Sequence, residues 1–407
     1  MTTAGASLLA IDGGDPLRRK AWPPWPFYGP DEIEAVSSVL RSGKVNYWTG
    51  EEGRHFETEY AGSLGRRYAV AVMNGTVALE LALYSLGIGR GDEVITSCRT
   101  FIASASAAVM RGAKPVLADV DADSGNVTAE TIAAVLTPRT RAIVVVHLGG
   151  WPCEMEPIVA LARREGVAVI EDCAQAHGAT YHGRPVGSFG DAAAFSFCQD
   201  KIISTGGEGG LFVTDDPDVW RRAWAYKDHG KSYAAVYARL HPPGFRWLHE
   251  SFGTNWRMTE LQAGIGRRQL KKLPEWVAIR RRNAAVLTDC LRGLPGLRLP
   301  SVPPACGHAY YRYYCYLDPS KLKTGWDQAR VIQAVNAEGI PCFTGTCPEL
   351  YRERAFSDAG WGQSPAHVVA RDLGESSVCF LTHPTLQEDD MRDAAEATGR
   401  VLSVACL

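Results

Sequence analysis

Residues 195–210 read FSFCQDKIISTGGEGG, which places Lys201 between the aromatic end of a predicted strand and a glycine-rich turn. Burial would disfavour the ammonium form of this lysine, and a neutral amine can form an imine with an aldehyde. Upstream, residues 167–172 read VAVIED and predict a buried strand with Asp172 at its end. A lysine for a Schiff base and an aspartate for a pyridine nitrogen are what pyridoxal phosphate (PLP) chemistry requires. Most lysines are solvated surface charges, so this interpretation depends on the rest of the chain.

Length and composition narrow the classes of protein. A chain of 407 residues with 46% hydrophobic content can bury a large core, and we expect two domains, 1–265 and 266–407. The formal net charge of −2 gives no electrostatic reason to expect binding to nucleic acid or to a membrane surface. There is no run of about 18 apolar residues, so no membrane span is predicted. Residues 1–7 lack the basic start of a signal peptide.

The cysteines and histidines point to a reduced protein without metal. The eleven cysteines include no Cys-x-x-Cys pair, and an odd count argues against a complete disulfide framework. Cys98, Cys173, Cys198 and Cys379 lie in apolar or small-residue settings, which are typical of buried thiols. The ten histidines are scattered without ligand spacing, so no metal site is expected. We therefore expect a cytoplasmic location.

Apolar runs alternate with segments of helical length between Tyr68 and about Asp215. The predicted strands are 68–73, 93–97, 115–120, 142–147, 167–171, 192–197 and 210–214, and the predicted helices are 77–86, 102–111, 128–136 and 156–165. Because most runs are continuously apolar, both of their faces should be covered, which predicts an α/β domain with a mostly parallel sheet. The last two runs are too close together for an intervening helix, which favours an antiparallel pair.

A smaller α+β domain is predicted after the proline-rich segment 299–304. Its elements are apolar runs at 310–317 and 378–381 and a helix near 327–337. A helix predicted at Glu260–Leu273 would connect the two domains.

The first predicted strand ends in Asn74-Gly75-Thr76, directly before a helix. A helix N-terminus offers unpaired N–H groups and a partial positive charge that together hold a phosphate, although an ordinary N-cap has the same sequence pattern. No Gly-x-Gly-x-x-Gly follows this strand, which argues against a dinucleotide site. Phe101, after the second strand, suits stacking on a planar ring as well as a place in the core.

Asp172 is followed by Cys173-Ala174-Gln175-Ala176-His177. An ionised aspartate near the pyridine nitrogen keeps that nitrogen protonated, so that the ring can accept electrons; the same residue could instead cap the next helix. Gln175 and His177 are near enough in sequence to contact the ring or to support Asp172, and His177 suits a structural role better.

These motifs, taken in order, resemble the DegT/DnrJ/EryC1/StrS family of PLP-dependent sugar aminotransferases, within the fold-type I aspartate aminotransferase superfamily. The resemblance covers nearly the whole chain. It rests on residues 49–50, 74–79, 91–95, 100–103, 112–116, 171–179, 195–197 with Lys201, 208–210 and 253–258.

The resemblance implies a PLP fold-type I architecture, with a large domain built on a mostly parallel central sheet flanked by helices and a smaller C-terminal α+β domain. It implies that Lys201 is the Schiff-base lysine and that Asp172 faces the ring nitrogen. The other implied cofactor contacts are Gly75, Thr76 and Ser196 at the phosphate, Phe101 on the ring, Gln175 near O3′, and Asn255 at the phosphate of the neighbouring subunit. It therefore implies a homodimer with shared active sites.

The implied activity is the transfer of an amino group from glutamate or glutamine to a keto-sugar, above all a nucleotide-linked keto-deoxysugar of antibiotic or polysaccharide biosynthesis. A cyclitol ketone of the scyllo-inosose type and an aminated aromatic precursor are alternatives, to which the Trp-Pro-rich residues 22–26 also point. A dehydratase branch of the family replaces the lysine with histidine, so Lys201 argues against it. The complete set of site residues argues against a non-enzymatic regulator.

The choice of substrate stays open. Cys198-Gln199-Asp200, directly before the lysine, departs from the pattern usual in the family. Expected substrate contacts are Tyr47, Trp48, His308 and Tyr310, each of which could equally be a packing residue.

Overall fold

The structure, a computed structural model, describes residues 8–241, 243–244, 246–362 and 367–407. The segment 1–7, for which no signal peptide is predicted, lies outside the described residues. The helices are α1 Pro30–Ser42, α2 Glu52–Leu64, α3 Gly75–Ser85, α4 Ala103–Met110, α5 Ala129–Ala133, α6 Met155–Glu165, α7 Pro217–Tyr226, α8 Tyr233–Tyr237, α9 Glu260–Leu291, α10 Gln328–Ala337, α11 Arg354–Asp358, α12 Val368–Ser376 and α13 Glu388–Ala405. The strands are β1 Tyr68–Val72, β2 Glu93–Ser97, β3 Lys114–Ala118, β4 Thr140–Val146, β5 Ala168–Asp172, β6 Thr180–Tyr181, β7 Arg184–Pro185, β8 Ala192–Ser196, β9 Gly210–Thr214, β10 Leu297–Arg298, β11 Cys306–Gly307, β12 Tyr313–Leu317, β13 Cys342–Phe343 and β14 Ser377–Phe380.

A seven-stranded sheet in the order β1-β9-β8-β5-β4-β2-β3 forms the centre of the large α/β unit. Its strands coincide with the predicted ones to within two residues. The pairs from β8 through β3 are parallel, whereas β9 runs antiparallel to both β1 and β8. Helices cover the sheet, and strands such as β2, β8 and β9 are buried along their whole length, as their apolar sequences predict. The predicted α/β class with a mostly parallel sheet is confirmed.

A second, antiparallel sheet has the order β10-β12-β14-β13. Its apolar side chains form one core with α9, α10 and α13, as the predicted α+β composition of this region implies. The predicted domain boundary at 265/266 falls inside α9, and the division into two domains stays a prediction.

The helix predicted at Glu260–Leu273 does connect the two regions, but the prediction of its end was wrong, because α9 continues through Pro274 to Leu291. An internal proline costs a helix about 3 kcal/mol. Beyond it, Trp276 and Val277 pack into the core of the large sheet, whereas Leu287 packs into the core of the small one. Burying each large apolar side chain contributes roughly 1.5–3 kcal/mol, which offsets the loss at the proline.

The carboxyl ends of the parallel strands meet at one edge of the large sheet. Asp172 ends β5 and Ser196 ends β8 at this edge, and the connection from β1 to α3 reaches it from the antiparallel side. In open α/β sheets this edge is where ligands bind. Among the described residues, no helix combines the length and the apolar character needed to cross a membrane.

Candidate active site

A cavity of about 640 Å³ opens at this edge, between the large sheet and the start of the small one. The fold brings seven of the residues predicted from the sequence to its wall: Gly75, Thr76, Phe101, Asp172, Gln175, Ser196 and Lys201. They come from four separate connections of the large unit, so only the folded chain assembles them.

The N-terminus of α3 forms one end of the cavity. The side-chain oxygen of Asn74 accepts a hydrogen bond from the backbone N–H of Val77 at 3.0 Å, so Asn74 is the N-cap. The N–H groups of Gly75 and Thr76 lie in the first turn and have no partner within the helix. A Cβ atom on Gly75 would lie 2.6 Å from the Cβ atom of Ser196, so only glycine lets the helix end approach that serine. Backbone N–H groups, a hydroxyl and the helix dipole here suit a phosphate.

Asp172 lies on the floor of the cavity and is buried. The hydroxyl of Ser104 donates to its Oδ2 at 2.7 Å, and the backbone N–H of Ala174 donates to its Oδ1 at 3.1 Å. Burial raises the pKa of Asp172 above its ordinary value, although these two hydrogen bonds and the charge of Lys201 act in the opposite direction. A cationic partner in the cavity would therefore stabilise the carboxylate.

Lys201 is mostly buried, and its Nζ lies 3.7 Å from Oδ1 of Asp200 and 4.9 Å from the centre of the Tyr311 ring. Burial alone would lower the pKa of Lys201, but Tyr311 and Asp200 raise it above its ordinary value. The expectation that burial would release this proton is therefore corrected, because the sequence argument left out the anionic neighbour. The indole N–H of Trp25, in the Trp-Pro-rich segment, donates to the Lys201 carbonyl at 2.9 Å and holds the backbone.

His177 has a structural role. Its Nε2 lies 2.8 Å from the Ser196 carbonyl oxygen, and the Tyr60 hydroxyl lies 2.6 Å from its Nδ1. Burial lowers the pKa of His177 to about 3, so the ring is neutral. A neutral ring donates from Nε2 to Ser196 and accepts from Tyr60, which ties the end of β8 to α2.

Gln175 and Phe101 form the remaining predicted part of the wall. The side-chain oxygen of Gln175 accepts a hydrogen bond from the Gly149 backbone at 2.8 Å, which fixes its amide at the rim of the cavity. Phe101 is 64% exposed although it is a large apolar residue, so its ring belongs to the cavity and not to the core. This exposure suits stacking on a flat ligand.

Five predicted residues lie away from the cavity within one chain: Tyr47, Trp48, His308, Tyr310 and Asn255. Tyr47 is buried and donates to a carboxylate oxygen of Glu57 at 3.1 Å, and Trp48 packs edge-on against Trp224. His308 stacks on Tyr310 at 3.9 Å beside a separate, much smaller cleft. Asn255 is exposed, and its backbone pairs with that of Asp228. Their roles toward substrate and phosphate remain predictions.

Sequence reasoning placed the contribution of the smaller domain at His308 and Tyr310 and missed the residues of this region that line the cavity. Tyr311 and Arg312 precede β12, and Phe343, Gly345 and Thr346 lie at and after β13. The acidic residue beside the lysine, Asp200, was visible in the sequence, but its contacts with Tyr311 and Arg312 join it to residues more than a hundred positions further along the chain. Spacing gives no signal for such a contact.

The sequence matches the DegT/DnrJ/EryC1/StrS aminotransferase family over residues 27–398. It is 36% identical to an L-glutamine:2-deoxy-scyllo-inosose aminotransferase of Streptomyces kanamyceticus, covering 98% of this chain and 97% of that protein. It is 41% identical to a GDP-perosamine synthase of Caulobacter vibrioides, covering 87% and 92% of the two chains. The structure is similar to that of an aminotransferase from Psychrobacter cryohalolentis, with a TM-score of 0.92 and 52% identity over 94% of this chain and 99% of that one.

Proposed function

Because the chain belongs to the DegT/DnrJ/EryC1/StrS aminotransferase family and is an aminotransferase, we propose that it uses pyridoxal 5′-phosphate to move an amino group from glutamate or glutamine to a keto-sugar. The observation that carries this proposal is that Lys201, Asp172 and the N-terminus of α3 face one cavity. When bound, PLP supplies an aldehyde that captures a lysine amine and a ring that accepts electrons.

The residues present fit this cofactor. A volume of about 640 Å³ is ample for PLP together with a small substrate. Gly75, Thr76 and Ser196 would hold the phosphate, because the close approach at Gly75 leaves backbone N–H groups beside a hydroxyl. Phe101 would cover one face of the ring, and Gln175 would lie at its edge.

Two side chains would perform the acid–base work. Asp172 would hold a proton on the ring nitrogen, since a buried carboxylate with a raised pKa is stabilised by a cation beside it. Lys201 would attach the cofactor, and its amine would move the proton that the donor and the acceptor exchange at carbon. His177, neutral and occupied at both nitrogens, is held out of this chemistry.

The acceptor proposed is a nucleotide-linked keto-deoxysugar, as the name of the Caulobacter relative suggests. A cyclitol ketone is the second candidate, because the Streptomyces relative is named for 2-deoxy-scyllo-inosose and covers almost the whole chain. Glutamine and glutamate are both proposed as donors.

The active unit proposed is a homodimer that shares its two sites. Asn255 is exposed and would reach the phosphate of the partner subunit's cofactor. Three large apolar side chains near it in sequence, Leu240, Trp247 and Phe252, are at least 83% exposed. Exposed apolar side chains in such a group support an interaction surface at this part of the chain.

A half-reaction experiment tests the proposal. PLP-loaded protein should lose the absorbance of the lysine-bound cofactor on addition of glutamate or glutamine, and a keto-sugar or cyclitol ketone should restore it. Lys201→Ala should fold but show neither change. Borohydride reduction should attach the cofactor to Lys201; attachment to another lysine, or no spectral change with any donor, would contradict the assignment.

A further inference from the structure

Asp200 connects three side chains at the wall of the cavity. It belongs to the Cys198-Gln199-Asp200 segment directly before the lysine. Its carboxylate lies 3.7 Å from Nζ of Lys201 and 3.7 Å from Nη2 of Arg312, and it accepts a hydrogen bond from the Tyr311 hydroxyl. The segment that left the substrate open in the sequence thus joins the lysine to the small sheet.

Near neutral pH, Asp200 is ionised and the Tyr311 phenol is neutral. Burial alone would raise the pKa of Asp200, but Lys201, the Tyr311 hydroxyl and Arg312 lower it below its ordinary value. Burial raises the pKa of Tyr311. The phenol is therefore neutral and donates to an ionised Asp200.

The guanidinium of Arg312 has N–H groups available to bind a ligand. Its one ion pair in the described part of the chain is the contact to Asp200, and 3.7 Å is longer than a hydrogen bond. The guanidinium lies 4.9 Å from the ring centre of Tyr311 and 5.7 Å from that of Phe343, and its side chain is 24% exposed. A guanidinium held between rings at a cavity wall presents its N–H groups to a planar anion, and carboxylates are bound in this two-point manner.

The position of Arg312 limits which carboxylate it can serve. Among the described residues that line the cavity, Lys201 and Arg312 are the cationic ones, and both lie 3.7 Å from the same aspartate. An anion on Arg312 is therefore close to the lysine amine. In an α-amino acid the carboxylate is bonded directly to the reacting carbon, whereas the phosphates of a sugar nucleotide are several bonds away from its ketone.

Resting on the proposed transamination, we propose that Arg312 binds the α-carboxylate of the amino donor and that Asp200 is a positioning residue for its guanidinium. Tyr311 completes the arrangement by holding Asp200. The same contact would bind the α-carboxylate of the keto acid that leaves after the amino group has been transferred.

The test compares donors with and without this carboxylate on PLP-loaded enzyme. L-Glutamate and 4-aminobutyrate both carry an amine and a distal carboxylate, but only glutamate has the α-carboxylate. The donor half-reaction is followed by cofactor absorbance. Arg312→Gln should raise the half-saturation concentration for glutamate by about 30-fold or more, because one partner of a desolvated charge pair is lost. The half-saturation concentration for 4-aminobutyrate should change little. Arg312→Lys should fall between Arg312→Gln and the wild type.

Asp200 and a distant arginine complete the design. Asp200→Asn should weaken glutamate binding less than Arg312→Gln does, and it should change the rate at saturating glutamate less than it changes binding. Asp200→Glu, which keeps the carboxylate, should bind glutamate better than Asp200→Asn does. Arg298→Gln is the matched control, because Arg298 pairs with Asp123 at the surface. Bound-cofactor absorbance and melting temperature show that each variant is folded.

The outcomes separate this inference from the proposed function. Unchanged use of glutamate by folded Arg312→Gln overturns the inference while transamination stands. Loss confined to the step with the keto-sugar also overturns it, because Arg312 would then serve the acceptor. If wild-type enzyme shows no spectral change with any donor, it is the proposed function that fails.

Discussion

At Asp172, burial and hydrogen bonding act on one carboxyl group in opposite directions. Burial raises its pKa, whereas the Ser104 hydroxyl and the Ala174 N–H stabilise the ionised form. The hydrogen bonds also fix the direction in which the carboxylate faces the cavity. The carboxylate is thus preorganised to stabilise a cation that binds in the cavity.

Asp172→Asn should keep PLP bound but lose most of the activity. The amide has the same size, so the cavity persists, but it cannot stabilise a protonated ring nitrogen. Removing one preorganised electrostatic partner commonly lowers the rate by about 10²–10³-fold. Turnover and cofactor absorbance of the purified variant measure both effects. Ser104→Ala, which removes only the supporting hydroxyl, is the control and should lose far less; near-normal turnover in Asp172→Asn would remove this residue from the mechanism.

Residues that lie at the ends of apolar runs could be placed from the sequence. Asp172 and Ser196 lie within one residue of the ends of predicted strands, and parallel strands end at one edge, so their meeting follows from fold class alone. Arg312 could not be placed in this way, because its contact with Asp200 depends on how the small sheet docks. Tyr47 shows the opposite limit: its aromatic, polar character suits a substrate contact as well as the buried hydrogen bond to Glu57 that the structure gives it.

Among the elements, α9 shows where local sequence rules stop. Pro274 is an exposed helix breaker, and from local propensity the helix should end before it. The helix continues because its second half is buried against the small sheet, a tertiary contact that a propensity argument cannot contain. The same helix therefore packs against both sheets and holds them on opposite sides of the cavity.

The end of β8 depends on a histidine that stays neutral. In the unfolded chain His177 would take up a proton below about pH 6.5, whereas burial in the folded chain lowers its pKa to about 3. Its contribution to stability is therefore complete above about pH 6.5 and is lost as the pH falls toward 3. Burial also lowers the pKa of His308 and of His383 to about 3, so a variant of His177 itself is needed to isolate its effect.

We predict that the melting temperature of the wild type exceeds that of His177→Gln by more at about pH 7.5 than at about pH 5. Thermal unfolding of both proteins at the two pH values measures the difference. Tyr60→Phe removes the hydroxyl that His177 accepts from but adds no titrating group, so its melting temperature should differ from that of the wild type by a similar amount at both pH values. An equal gap for His177→Gln at both values would show that His177 does not couple folding to pH.

For the whole molecule, the cavity is closed on one side by the small sheet and bounded elsewhere by residues of the large unit. Asn255 lies outside the cavity and is exposed, as are Trp247 and Phe252 near it in sequence. The sequence could predict that Asn255 serves a neighbouring subunit only through family resemblance, because neither burial nor contacts within one chain distinguish it from an ordinary surface residue.

Mixing two defective proteins tests whether the sites are shared. Lys201→Ala would remove the proposed attachment point from a subunit's own site, and Asn255→Ala would remove a phosphate contact from its partner's site. In a heterodimer of the two variants, one site would carry both changes and the other neither. With random exchange, half of the dimers are mixed, so about a quarter of wild-type activity should appear at a PLP concentration too low to load Asn255→Ala alone. Mass measurement of tagged subunits confirms exchange. If exchange occurs and activity stays at the level of the unmixed proteins, each site is built within one chain.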